Sequence, residues 1–114
     1  MRAVRPISWL TPARKAFDRF PDGAREIVFD ALSLAADGSK AGIAKPMKGL
    51  GSGVFEIALP YRGNAFRVVY AVQIGDDIWV IHAFQKKSTQ GIKTPQHEID
   101  LIGTRLKRLK EILR

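Results

Sequence analysis

At 114 residues, 46% of them hydrophobic, the chain has length for one core, and a single domain spanning residues 1–114 is expected. A formal charge of +8 concentrates anionic partners around it, nucleic acid among them, whereas the absence of cysteine excludes disulfides, thiolate metal sites and thiol nucleophiles. Two histidines do not make a zinc site by themselves, no apolar run approaches the length of a membrane span, and MRAVRPISWL lacks an apolar export core, so a soluble cytoplasmic protein with no membrane partner is expected.

Val4 to Leu10 reads as an edge strand, because Pro6 would cost a ladder hydrogen bond in a central one. Thr11 with Pro12 is a helix start, hydroxyl at the N-cap and proline at the first helical position, and Pro21 stops that helix. Asp22 can cap a second helix, with Ala24, Ile27, Val28, Ala31, Leu34 and Ala35 as its apolar stripe and Gly38 as a left-handed terminus. The pair forms a hairpin across one face of a sheet. Gly38 to Gly53 is a glycine-rich connection carrying Lys40, Lys45 and Lys48, in which Pro46 excludes a regular helix.

Three strand-like runs follow, GVFEIALP, NAFRVVYAVQI and IWVIHAFQKKS, joined by YRG and GDD turns. In the middle run Phe66, Val68, Tyr70, Val72 and Ile74 share one face, opposite Ala65, Arg67, Val69, Ala71 and Gln73. Arg67 is the anomaly. On that alternation it looks onto small and polar residues, a shallow floor with a fixed positive charge. A polar hinge, Ser88 to Lys93, leads to a second cap-plus-proline start at Thr94–Pro95 and a last helix striped by Ile99, Ile102, Leu106, Leu109 and Leu113. Basic residues late in that helix complement its dipole. The fold class expected is α+β: a small antiparallel or mixed sheet with a helical hairpin on one face and a C-terminal helix.

No metal motif, phosphate-binding loop, dinucleotide fingerprint or nucleophile elbow is present, and no cofactor is implied. What remains is chemistry that Arg, Lys, His, Tyr and carboxylates perform unaided. Attack of an RNA 2′-hydroxyl on its own phosphate is such a reaction, needing a proton acceptor, a cation for the charge developing on phosphorus and a proton donor for the leaving 5′-oxygen. Arg67 suits the cation, because guanidinium is planar, permanently charged and matched to phosphate. Taken from periodicity alone, the favoured reading of Arg67 is an ion pair with Glu56, if the two strands place them on one face. Lys86 and Lys87 follow the third run and suit phosphates or proton transfer, or simply protect an exposed edge. His82 suits a proton donor or a neutral core residue, and Tyr61 and Tyr70 suit base stacking, although Tyr70 shares the apolar face.

FEIALPYRGNAFRVVYAV and IWVIHAFQKKSTQGIKTPQHEIDLIGTRLKRL together resemble the phage-derived HigB-like branch of the RelE superfamily of toxins from toxin–antitoxin pairs. The combination of FRVVY, HAFQKKS and TPQHEI carries the likeness. It implies a strand, two helices, three strands and a helix, and a metal-independent endoribonuclease that cuts messenger RNA on the ribosome. It implies as partner an antitoxin with a helix-turn-helix DNA-binding domain. Under the resemblance Arg67 falls on the strand arginine assigned to the scissile phosphate, Lys86 and Lys87 on the basic cluster after the last strand, Glu56 on the branch's glutamate and Lys48 on a loop lysine. Lys45, Arg62 and Lys93 are further RNA-binding candidates around these. Ala58 departs from the pattern, standing where RelE proper has lysine and this branch commonly arginine, which leaves the proton acceptor open among Lys48, Lys86, Lys87, His82 and Glu56. A non-catalytic toxin of the same fold binding a protein such as gyrase, and a bare nucleic-acid-binding module, are the competing functions.

Overall fold

The computed structural model describes residues 4–86 and 93–113. Eight elements follow in order: β1 (Ile7–Trp9), α1 (Thr11–Phe17), α2 (Asp22–Ala36), β2 (Ala44–Pro46), β3 (Val54–Tyr61), β4 (Asn64–Ala71), β5 (Ile78–Lys86) and α3 (Gln96–Ile112). The strands form one mixed sheet in the order β1-β5-β4-β3-β2, with β1 parallel to β5 and every other pair antiparallel. This is the expected α+β arrangement with one more strand, because Ala44–Pro46 inside the glycine-rich connection pairs with Phe55–Ile57. At three residues β2 is too short to show a period of two, and its proline suits only the edge that it occupies.

The meander follows from its turns. Arg62 and Gly63 both adopt positive φ, 50° and 81°, the two-residue hairpin geometry whose twist matches that of the flanking strands. On one face Phe66, Val68 and Tyr70 meet α1 and α2 through Ala13, Phe17, Ala24, Val28, Ala31, Leu32, Ala35 and Ala36. Gly23 of α2 sits against the Tyr61 hydroxyl with no room for a side chain. Tyr61 thus belongs to this packing, as does Tyr70, stacked on Phe55 with its hydroxyl pKa pushed up to about 12 by burial.

On the other face Val54, Val69, Ala71, Ile74 and Ile81 pack against Ile102, Leu106 and Leu109 of α3. The sheet is therefore covered on both sides, and the open floor expected beside Arg67 is roofed in part by α3. Ile74 falls on this side, and not with Phe66, because the strand ends at Ala71 and its alternation ends there too. A register shift opposes Val69 to His82 but Tyr70 to Val80, leaving Ile81 as the extra residue of a bulge, and both Ile81 and His82 turn toward α3.

The helix starts differ from expectation by one residue. α1 begins at Thr11 with Leu10 as N-cap, α2 at Asp22 with Pro21 and α3 at Gln96 with Pro95, none with a side-chain cap. Asp22 pairs instead with Arg25 in the first turn of α2. In α2 the buried stripe takes in Leu32 and Ala36, while Ile27 and Leu34 are exposed at 39% and 44%. Gly38 does close that helix with φ of +88°.

Candidate functional site

The arginine of β4 and the glutamate of β3 are placed by register. Arg67 opposes Ala58, Glu56 opposes Val69, and odd positions of β4 share a face with even positions of β3. Glu56 and Arg67 are thus diagonal neighbours on the face toward α3, a spacing that long side chains bridge. Arg67 Nη1 donates to Glu56 Oε1 at 2.9 Å, and the two side chains are 8% and 14% exposed. The ion pair with Glu56 expected from periodicity is formed, and it buries the cation that was also expected to look onto an open floor. The small Ala58 opposite it leaves space, so the pair still lines a hollow of about 300 Å³ with Lys45, Ala58, Leu59, Pro60 and Ala65.

Glu56 has a second partner that the sequence reading missed. The Thr94 hydroxyl, expected to cap α3, donates to Glu56 Oε2 at 2.6 Å. Pro95 fixes the chain at the start of the helix, and by donating to a charged carboxylate the hydroxyl makes a stronger bond than it would by accepting from a backbone N–H there. Both carboxylate oxygens are engaged, yet each keeps a lone pair for a further donor.

Of the remaining candidates, Lys45 opposes Glu56 across the β2–β3 ladder, on the rim of the hollow. Lys86 opposes Ala65 on the same face, one row beyond Arg67, and its Nζ donates to the Lys93 carbonyl at 2.9 Å. The ammonium therefore ties the end of β5 to the approach of α3. Lys93 itself is exposed, Lys48 lies exposed in the turn between β2 and β3, and Arg62 stacks its guanidinium over the Tyr61 ring at the far end of the hairpin. Lys87 lies outside the described residues, with most of the hinge expected before α3.

His82 is set apart from the hollow. Its Nδ1 stands 2.9 Å from Arg105 Nη1, and its Nε2 stands 3.0 Å from Glu98 Oε1. Guanidinium can only donate, so Nδ1 accepts, the ring proton sits on Nε2, and Glu98 receives it. Burial lowers the His82 pKa below its ordinary value, opposed by the hydrogen bond and charge of Glu98. Arg105, whose pKa burial also lowers, donates further to the Ile81 carbonyl at 3.1 Å. His82 is a neutral clamp between β5 and α3, not a free proton donor in the hollow. Glu98 and Arg105 were not singled out from sequence; on the helical period, seven residues place them on one side of α3, which was the available signal.

Among the described residues no helix is long and apolar enough to cross a membrane, and no three metal-ligating side chains come together.

A mixed sheet with a helical hairpin on one face, and an Arg–Glu hollow beside a C-terminal helix on the other, define a RelE-like fold. The chain belongs to the family of phage derived Gp49-like proteins (DUF891), whose profile matches residues 15–107. The resemblance to a phage-derived branch of the RelE superfamily is thereby upheld. Among solved structures, the toxin–antitoxin complex RelBE2 from Mycobacterium tuberculosis is similar with a TM-score of 0.51 and 15% identity, over 77% of this chain and 98% of that one. No curated protein matches the chain.

Proposed function

We propose that this chain is the toxin of a toxin–antitoxin pair and that it cleaves messenger RNA at the ribosome without a metal ion, using the Glu56–Arg67 pair. Membership in the Gp49-like family and the likeness to the structure of a toxin–antitoxin complex support the toxin. A carboxylate held 2.9 Å from a guanidinium on the floor of the hollow carries the nuclease reading. Glu56 accepts the proton of the 2′-hydroxyl, whose oxygen attacks phosphorus. Arg67 and Lys45 stabilise the charge that develops on the phosphate oxygens. The bond from phosphorus to the 5′-oxygen breaks, and that oxygen takes a proton from Lys86 or the adjoining Lys87, leaving a 2′,3′-cyclic phosphate and a 5′-hydroxyl. An antitoxin with a helix-turn-helix domain is the partner proposed.

Glu56→Gln tests this directly, because the amide keeps the size and the oxygen that faces Arg67 but accepts no proton. With translating ribosomes the variant should cut messenger RNA at least about 100-fold more slowly, while the chain stays folded with a lowered melting temperature, because the buried Arg67 loses its carboxylate partner. Undiminished cutting by a folded Glu56→Gln chain sinks the proposal. A second reading, a non-catalytic toxin that binds a protein such as gyrase, is favoured by the 8% exposure of the Arg67 side chain. Growth arrest that persists in Glu56→Gln cells with no cut RNA selects it.

A further inference from the structure

On the same face as the Glu56–Arg67 pair, a second groove of about 290 Å³ runs between the glycine-rich turn and the C-terminal half of α3, lined by Gly49, Leu50, Gly103, Leu106, Lys107 and Lys110. Its construction follows from the glycines. Gly49 and Gly51 hold φ of +82° and +88°, which lets the turn fold back on the helix. Leu50 and Met47 anchor it on the cluster of Ile102, Leu106 and Leu109. A Cβ at Gly103 would stand 3.6 Å from Leu50 Cδ2, so any side chain extending beyond Cβ enters the groove.

Lys107 and Lys110, three residues apart, lie on one side of α3. Lys110 Nζ reaches over the turn, 3.8 Å from where a Cβ of Gly51 would be. Among the described residues neither lysine forms a salt bridge, and nor do Lys45 and Lys48. The hairpin is different. From Thr11 to Asp37 there are four basic and five acidic residues, against fifteen basic and six acidic in the rest of the chain, and Arg14 and Arg25 are paired with Asp18 and Asp22. The turn from Gly38 to Gly53 and α3 together carry seven basic against three acidic residues, whereas the hairpin carries no net positive charge. Lys45 lines the first hollow and Leu50 the second, and five residues of chain hold them within about 17 Å.

We propose that the groove between Gly49–Leu50 and α3 is a phosphate-binding extension of the cleft, in which Lys107 and Lys110 hold the sugar–phosphate backbone of the RNA strand that crosses the Glu56–Arg67 hollow. It rests on the reading that the hollow takes RNA, but not on cleavage there. An acidic protein segment fits less well, because protein partners bind through desolvated apolar anchors. Leu106, the groove's apolar floor, is already buried, Leu50 is half-buried against α3, and both charged side chains of the lining are ammonium groups.

The test uses a fluorescein-labelled 2′-O-methyl RNA, whose blocked 2′-oxygen prevents cutting, and anisotropy over a series of salt concentrations. The slope of log K against log salt should fall by about 1.4 in Lys107→Ala/Lys110→Ala, about 0.7 for each lost phosphate contact. Lys15→Ala/Arg19→Ala on the hairpin removes the same charge and should leave the slope unchanged. Gly103→Leu should weaken binding with the slope retained. Equal slopes for the two double variants would reduce the lysines to a general field and overturn the groove. Absence of RNA binding by the parent chain would also overturn it, as would unchanged RNA binding beside lost binding of poly-glutamate, which would assign the groove to an acidic protein. Undiminished cutting by Glu56→Gln would remove the nuclease mechanism and leave this result standing.

Discussion

On the hairpin side of the sheet, Phe66, Val68 and Tyr70 meet an unbroken apolar surface from α1 and α2, and the helices' charges pair locally at the far surface. On the α3 side, Val69 and Ile81 meet Ile102, Leu106 and Leu109, but two separate sets of ionic and hydrogen-bonded contacts, Arg67 with Glu56 and Arg105 with His82 and Glu98, break that packing. Apolar burial is roughly proportional to area and indifferent to direction, so the first face needs only the right pattern. Buried charges need a partner at a definite place, so the second face depends on register. Placement of the polar groups on the second face alone is what couples α3, through Thr94, to Glu56.

The sharpest way to break the comparison is to damage each face once. Leu32→Ala in the hairpin layer, fully buried, should cost about 3 kcal/mol in urea unfolding and leave RNA affinity unchanged. Arg67→Met should cost a similar amount, about 3 kcal/mol, by stranding Glu56, and Arg67→Met/Glu56→Leu should recover most of it. A double variant no more stable than the single would show that the pair is not what holds that face.

A smaller effect separates the faces by pH. His82 has its folded-state pKa below its unfolded value, so the unfolded chain binds more protons in the interval between them. Stability is therefore complete above about pH 6.5 and falls as the pH drops below it. Protonation would set His82 against Arg105, although Glu98 offsets part of this. His82→Gln, which can still accept from Arg105 and donate to Glu98, should flatten the melting temperature between about pH 6.5 and pH 5. An unchanged slope would remove His82 as its source. The smallest effect is expected at Asp18→Ala, which breaks the exposed pair with Arg14, worth about 0.3 to 0.5 kcal/mol, and leaves the Arg14 guanidinium over the Trp9 ring. A loss of several times that in urea unfolding would mean that the hairpin face also relies on placed charges.

The alternation of β4, the turn at Arg62–Gly63, the hairpin stripe of Ala24, Val28, Ala31 and Ala35, and the stripe of Ile102, Leu106 and Leu109 were all legible in the sequence, because each is a local period or a local backbone requirement. Thr94 was legible only as a helix cap. Its bond to Glu56 spans 38 residues, and nothing local distinguishes a hydroxyl that caps a helix from one that reaches a carboxylate. Tertiary structure alone decided that β2 exists, that α3 roofs the Arg67 face, that Arg67 is paired with Glu56 and that Lys107 and Lys110 lie across from the glycine turn. A period records which residues share a face, whereas the partner that covers the face is set by how distant segments pack.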